Sequence, residues 1–335
     1  MRHVQVRSSA PTRIDLAGGT LDIWPLYLFH PLAQTVNVAI GLRATCTIST
    51  SDDGRITILS QDTGRTISAS SWRELPTEGD NQLLAHIARF FEVDSLQIIT
   101  EAQSPLGAGI AGSSALNIAV CGGLARWCGI PYSHDQLVTL AMTLEARTLG
   151  IPTGVQDYYP ALHGGVSALE LGPLGIHRVP LDVDPAELDR RIVLAYSGDS
   201  RSSGINNWEI TRRHIEGDET VKAPLQRIAD IAAAARAALT AGAWQELARQ
   251  LSLEWDERQA LAPGMTTPAI DRLISRAVSA GALAAKVCGA GGGGCVVFLV
   301  NPDHQNAVRD AVISAGGRLL DSRIDTEGLR VDDIA

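Results

Sequence analysis

No run of clustered lysine and arginine occurs in the 335 residues, and the formal net charge is −9. A polyanion or an anionic lipid surface would find nothing to attract it, so a small-molecule partner is expected, with no nucleic acid and no membrane. Also missing is any apolar stretch long enough to cross a bilayer, and the start, MRHVQVRSSAPTR, lacks the apolar core of a signal peptide. These absences point to a cytoplasmic protein, expected as a monomer or homodimer. Paired C-x-x-C spacing is absent too. The five cysteines, Cys46, Cys121, Cys128, Cys288 and Cys295, are odd in number, which argues against zinc and against a disulfide framework. Cys288 and Cys295 bracket a glycine run and read as small packing residues at strand ends rather than as a redox pair. Internal repeats, heptads and low-complexity tails are lacking as well.

What is present suffices for more than one core, since 45% of the residues are hydrophobic. HVQVRSSAPTRIDLAGG, AQTVNVAIGLRATCTISTS and RITILSQD alternate apolar and polar residues, as paired strands do. Leu83, Leu84, Ile87, Ala88 and Phe91 predict a helix from Asn81, and SLQIITEA a further strand. Helices are expected over Ser113–Cys128, over Ser133–Leu149 with Ser133 as N-cap, and from near Gly154. Gly164, Gly165 and the turn-rich LGPLGIHRVPLDVDP then suggest a passage between domains 1–175 and 176–335. The second domain opens with the strand RIVLAYSG. Helices Val221–Ala241, Ala243–Leu261 and Pro268–Ala280, a strand–loop–strand at LAAKVCGAGGGGCVVFLV, a helix Asp303–Ala315 and a strand Arg318–Ile324 complete an α+β pattern.

SPLGAGIAGSSALNIAV, residues Ser104 to Val120, places closely spaced glycines between a strand and a helix start. Free backbone N–H groups and the positive end of the helix dipole converge there, which suits phosphate. Gly107, Gly109 and Gly112 let the backbone approach, and Ser113 and Ser114 add hydroxyls for phosphate or Mg²⁺. The Walker lysine is missing, and no early βαβ unit supports a dinucleotide fingerprint. On its own the stretch reads equally as a structural turn.

Two further stretches match it in character, APTRIDLAGGTLD at Ala10–Asp22 and KVCGAGGGGCVVFLV at Lys286–Val300. In this order and spacing the three resemble the motifs of the GHMP kinase superfamily over most of the chain: P-x-R-x-x-x-x-G at the substrate site, P-x-x-G-x-G-L-x-S-S-x-A at the phosphates, and a C-terminal G-A-G-x-G-G turn. With EARTLGIPTGVQDYYPALHGG at Glu145–Gly165, the resemblance is greatest to the heptose-kinase and related sugar-kinase branch. It implies a two-domain GHMP kinase fold of the α+β class, with an N-terminal domain like ribosomal protein S5 domain 2 and a ferredoxin-like C-terminal domain.

The resemblance also implies site roles. ATP would lie along Pro105, Gly107, Ala108, Gly109, Ile110, Ala111, Gly112, Ser113, Ser114 and Ala115, with Ser114 and Glu145 on Mg²⁺. Both are hard oxygen donors of the kind that ion takes. Asp157 falls where the family places the base that accepts the substrate hydroxyl proton, and Arg13 where its basic partner stands. A helix first-turn aspartate and a strand arginine with a solvated head are the plainer readings. Asp22 matches a sugar-binding aspartate, while Gly19 and Thr20 replace the glutamate and histidine of the galactokinase motif, which argues against galactose. A carboxylate at Asp22 suits hydroxyl donors and so a polyol. Gly154, Gly291 and Gly292 are expected against the substrate. Arg201, in YSGDSRSSGINNWEI, reads either as a holder of a substrate phosphate or as part of an exposed loop. Lys286 reads as a strand-end lysine in water in preference to one that reaches a phosphate.

The expected function is an ATP-dependent kinase acting on a hydroxyl of a monosaccharide or sugar phosphate. The alternatives are a non-catalytic ATP- and sugar-binding regulator of the same fold, and a mevalonate-pathway enzyme. A decarboxylase among the latter would need concentrated positive charge, for which only Arg201 and Arg43 stand as candidates.

Overall fold

A computed structural model describes residues 5–79, 81–199 and 204–334. In chain order the first part comprises β1 (Gln5–Ala17), β2 (Gln34–Thr50), β3 (Ile56–Ser60), β4 (Arg65–Ala69), α1 (Gln82–Phe90), β5 (Leu96–Ala102), α2 (Gly112–Cys128), α3 (His134–Leu149), α4 (Tyr158–His163), β6 (Val166–Gly172) and β7 (Gly175–Pro180). There follow α5 (Pro185–Asp189), β8 (Ile192–Tyr196), α6 (Gly204–Ile215), α7 (Glu219–Thr240), α8 (Trp244–Leu261), α9 (Pro268–Ser279), β9 (Ala282–Val287), β10 (Cys295–Val300), α10 (Gln305–Ser314), β11 (Arg318–Leu320) and β12 (Arg330–Ile334). Among the described residues, no helix is long and apolar enough to cross a membrane.

The first sheet runs β12-β1-β2-β5-β3-β4, with β6 pairing β2 and β7 pairing β6; the second runs β11-β8-β10-β9. The long strand β2 serves two partners in turn, β6 through Gln34–Val38 and β5 through Ala44–Thr50. Strand β1 is only intermittently buried up to Ser9, then continuously buried from Ala10 to Ala17. The cause is cover on both sides: α2 and α4 pack on this strand, and so do α7 and α8 from the C-terminal half. Ile14 and Leu16 thereby join Val36, Val38, Ile192, Leu194 and Ala235 in a core between the two halves. Burial of that apolar area is what holds the halves together.

Local chemistry accounts for the helix ends that carry the site. Ser133 caps α3 by accepting from Gln136 N at 3.2 Å, and the Gln136 side chain accepts from Ser133 N at 2.8 Å, a closed capping box. Helix α2 carries Gly122 and Gly123 mid-helix, where glycine costs about 1 kcal/mol in propensity. Close packing explains them: a Cβ on Gly123 would stand 2.7 Å from Ser8 Oγ, and one on Gly122 2.8 Å from Leu329.

Three expectations change. The helix expected from near Gly154 begins at Tyr158, because Gly154 is tied to Ile23 in an isolated β-bridge. The strand expected over Arg318–Ile324 ends at Leu320, and Ile324 bridges back to Ile40 of the first sheet. The first sheet also extends past the expected division at residue 175. Strand β7 completes a hairpin with β6, and β12 returns from the C-terminus to lie antiparallel to β1. Arg43 fixes this return through an ion pair with Asp325 and a hydrogen bond to the Gly328 carbonyl, so it is not a free cation for a diphosphate.

Candidate active site

The glycine stretch connects β5 to α2. Gly107, Gly109 and Ala111 take φ of 67°, 73° and 60°, which turns the chain sharply before the helix begins. No side chain caps the N-terminus of α2, the positive end of its dipole, and Ser113 in its first turn is exposed. The third motif closes over this loop. Cys295 N donates to Ala108 O at 2.8 Å, a Cβ on Gly294 would stand 2.7 Å from Ala108 O, and one on Gly109 2.5 Å from Cys288 O. Only glycine at these positions lets the two backbones touch. Cys288 and Cys295 are buried free thiols, as packing residues would be. Gly291 and Gly292 pack on Met265, with Gly292 N donating to its carbonyl at 2.7 Å.

Arg13 reaches the loop from β1. Its backbone N–H donates to Ile110 O at 3.1 Å and its Nη1 to Gly109 O at 2.8 Å. Its Nε and Nη2 both donate to Oδ1 of Asp157, at 3.0 and 2.6 Å. The other carboxylate oxygen, Oδ2, is left outside this pair. Burial opposes the charge on Arg13, but Asp157 and Asp15 outweigh it and fix the guanidinium as a cation. The Asp157 side chain remains 29% exposed while that of Arg13 is 4% exposed, so the carboxylate presents an open face above a buried positive charge.

Asp22 lies alongside. Its Oδ2 accepts from Gln156 N at 2.9 Å, and a Cβ on Gly154 would collide with that same oxygen at 2.0 Å. Burial and then repulsion from Asp157 push the Asp22 carboxyl up to about 6. Gly19 and the left-handed Thr20 form the turn leading into it.

Glu145 comes from α3 to the start of α2. It accepts from Ser113 Oγ at 2.6 Å, Ser114 Oγ at 2.9 Å and the Tyr158 hydroxyl at 2.7 Å. Burial pushes its carboxyl upward, against the three hydroxyl donors. A buried carboxylate met, among the described residues, by hydroxyls and no cation is the donor set a hard divalent ion would complete. Among the described residues, no cluster of three or more His, Cys, Asp or Glu could hold a metal by itself. An ion here would draw its remaining ligands from phosphate oxygens and water, which is how Mg²⁺ is commonly held. The residues present fit that group.

Arg201, read either as a holder of a substrate phosphate or as part of an exposed loop, lies outside the described residues. Lys286 departs from its solvated reading: its side chain is 0% exposed and donates to Asp15 Oδ2 at 3.1 Å and Leu16 O at 3.3 Å, with Glu254 Oε2 at 2.9 Å. Sequence reasoning missed its partners. Arg258 of α8 donates through Nε to Glu254 Oε1 at 2.8 Å and through Nη1 to Gly289 O at 2.9 Å, and its Nη2 lies 3.8 Å from Asp15 Oδ2. Asp15 Oδ1 accepts from Gly289 N at 2.9 Å. Burial resists ionisation of Asp15, and Lys286, Arg13, Arg258 and the Gly289 amide overcome it, holding the carboxyl down to about 2. The available signal was a lysine inside the apolar run LAAKVC, where a charge needs a partner.

Glycine loop, overlying glycine turn and arginine–aspartate pair, set on two α+β halves, define a protein of GHMP kinase architecture. The chain belongs to the GHMP kinases. The family's N-terminal domain matches residues 81–165 and its C-terminal domain residues 235–318, together half of the chain. The D-glycero-alpha-D-manno-heptose 7-phosphate kinase of Campylobacter jejuni is 28% identical over 97% of this chain and 98% of its own. A mevalonate kinase of Thermococcus onnurineus is 27% identical over 99% of both chains. The crystal structure of a D-glycero-D-manno-heptose 1-phosphate kinase from Bacteroides thetaiotaomicron superposes with a TM-score of 0.79 at 26% identity, over 98% of this chain and 99% of that one.

Proposed function

We propose that the protein is an ATP-dependent kinase that transfers the γ-phosphoryl group to a hydroxyl of a monosaccharide or sugar phosphate. One observation carries the reading: Arg13 bonds Asp157 and the Gly109 carbonyl at once, joining an open carboxylate to the glycine loop. With triphosphate along residues 105–115, a substrate hydroxyl beside Asp157 gives its proton to Oδ2 as its oxygen attacks the γ-phosphorus. The new O–P bond forms as the β–γ bridging bond breaks, and ADP leaves with that bridging oxygen. Little covalent work falls to the protein in such a transfer, so alignment and charge neutralisation dominate. Arg13 supplies a fixed positive charge beside the Asp157 carboxylate and the glycine loop. Ser114 and Glu145 would hold Mg²⁺, which when bound offsets charge on the phosphates.

Sugar kinases among the relatives support the acceptor class, and so does the chemistry of Asp22. A buried carboxylate that accepts hydrogen bonds suits hydroxyl donors and opposes a second carboxylate such as that of mevalonate. The test is ADP release across a broad panel of sugars and sugar phosphates with Mg·ATP. Turnover should fall by about 10²- to 10⁴-fold in Asp157→Ala, the range for loss of a general base. Wild-type rates no higher than those of this variant on every sugar would refute the proposal.

A further inference from the structure

Gln156 precedes Asp157, and at 6% exposure it is buried. Its backbone N–H holds Asp22, and its side-chain Nε2 lies 3.0 Å from where a Cβ on Gly19 would stand. The other end of the amide, Oε1, is fully buried and receives no hydrogen bond from the described residues. An acceptor left without a donor in a low-dielectric site is costly, and such atoms are rare in folded proteins. The Arg258 guanidinium also packs on Gly19, but it directs Nε to Glu254, Nη1 to the Gly289 carbonyl and Nη2 toward Asp15. Gly19, Gly154 and Gln156 gather round Asp22 in the stretch next to Asp157, and bring together one anionic acceptor, Asp22, and one neutral one, the Gln156 amide. Neighbouring hydroxyls on a ligand would supply the donors. A carboxylate or phosphate at the same place would set lone pairs against lone pairs.

We propose that Gln156 is a specificity-determining residue whose side-chain oxygen accepts a hydrogen bond from a substrate hydroxyl adjacent to the reacting one. The site then selects polyols with at least two neighbouring free hydroxyls. This rests on the kinase reading for the identity of the reacting hydroxyl, whereas the binding contact itself does not require turnover.

The test is calorimetric titration of D-mannose, D-galactose, L-fucose and (R)-mevalonate into the wild type and into Gln156→Met, which keeps the volume and removes the acceptor. Monodeoxy forms of the sugar that binds follow. Gln156→Met should weaken sugar binding by about tenfold or more, with ATP affinity unchanged as the check on folding. One monodeoxy form should lose affinity in the wild type yet lose nothing further in the variant, the signature of a shared hydrogen bond. Gln156→Asn, with the amide drawn back by one methylene, should fall between the two. Equal sugar affinities in wild type and Gln156→Met, the same mutational loss for every monodeoxy form, binding of mevalonate alone, or no sugar bound at all would each overturn the inference. ADP release measured on the same samples separates the two claims: sugar binding that depends on Gln156 without ADP release defeats the kinase reading and supports this one.

Discussion

Replacing Lys286 by methionine tests how far the buried charges hold the molecule together. The substitution keeps length and apolar volume and removes the cation. Lys286 faces two buried carboxylates, Asp15 at 3.1 Å and Glu254 at 2.9 Å. Breaking a buried ion pair by deleting one partner costs about 3–5 kcal/mol, because the other charge stays behind. Arg258 still pairs Glu254 at 2.8 Å, and Gly289 N still donates to Asp15 at 2.9 Å, so a loss near the lower end, about 3 kcal/mol, is expected. Urea unfolding followed by circular dichroism at pH 7 measures it. Arg126→Ala is the control. Its ion pair with Asp333 is more than half exposed on both sides, and surface pairs of this kind contribute about 0–1 kcal/mol.

The pH dependence sharpens the test. In the wild type Asp15 titrates at about 2, below its ordinary 3.8, so its contribution is complete above 3.8 and is lost as pH falls toward 2. Without Lys286 burial gains ground on that carboxyl and its folded value rises, and the penalty is relieved once the group protonates. The gap between wild type and Lys286→Met should therefore be widest near neutrality and should narrow under acid. A gap below about 1 kcal/mol at pH 7, like that of a surface pair, would refute the reasoning, as would a gap that is the same in acid.

Gly294→Ala should destabilise by about 2–4 kcal/mol in urea unfolding and weaken ATP binding in calorimetry, since φ is +86° and the new Cβ would stand 2.7 Å from the Ala108 carbonyl oxygen. His214 supplies a second pH effect. Its Nε2 lies 2.9 Å from His30 Nε2, whose ring accepts there because His30 Nδ1 faces Gln226 Oε1 at 3.0 Å. Burial, then His30 and Lys222, lower His214 to about 4 against a weaker pull from Glu219, so it folds neutral. Unfolding then takes up a proton, and stability should fall by about 2–3 kcal/mol as pH drops from 6.5 toward 4. Urea midpoints across that window should drop less in His214→Gln than in the wild type, because Asp22 and the other titrating groups are common to both.

Elements with a local cause were legible in the sequence. The N-cap at Ser133 and the glycine turn before α2 lie within a few residues of the structure they produce, and both formed as read. Arg13 and Asp157 were each recognisable from their motifs, and the structure brings them together across 144 residues. Strand β12 was not legible, because Arg330–Ile334 is short, acidic and mostly exposed, and becomes a strand only by pairing with β1 at the other end of the chain. Lys286 was misread for the same reason. Its local pattern suits a snorkelling lysine, and its acidic partners arrive from β1 and α8. Gln156 carried no local signal of its own, since only the fold places its amide against Gly19 and Asp22.

Position along β1 explains why one short motif governs so much of the site. Arg13 turns its charge to Asp157 and the glycine loop, while Asp15, two residues on, turns its charge to Lys286 and the Gly289 amide of the C-terminal half. The two side chains also meet at 3.6 Å, so the signs alternate from Asp157 through Arg13 and Asp15 to Lys286 and Glu254. Each interior member would be unstable alone in that burial, and each is neutralised by a group from a different element. An aspartate on an open surface could be aligned by chance contacts and lost to water. Here, moving Asp157 away from the end of the loop would strand Arg13, and moving the glycine turn would strand Asp15, so the spacing between Asp157 and the glycine loop is held by the same charges that link β1 to the C-terminal half.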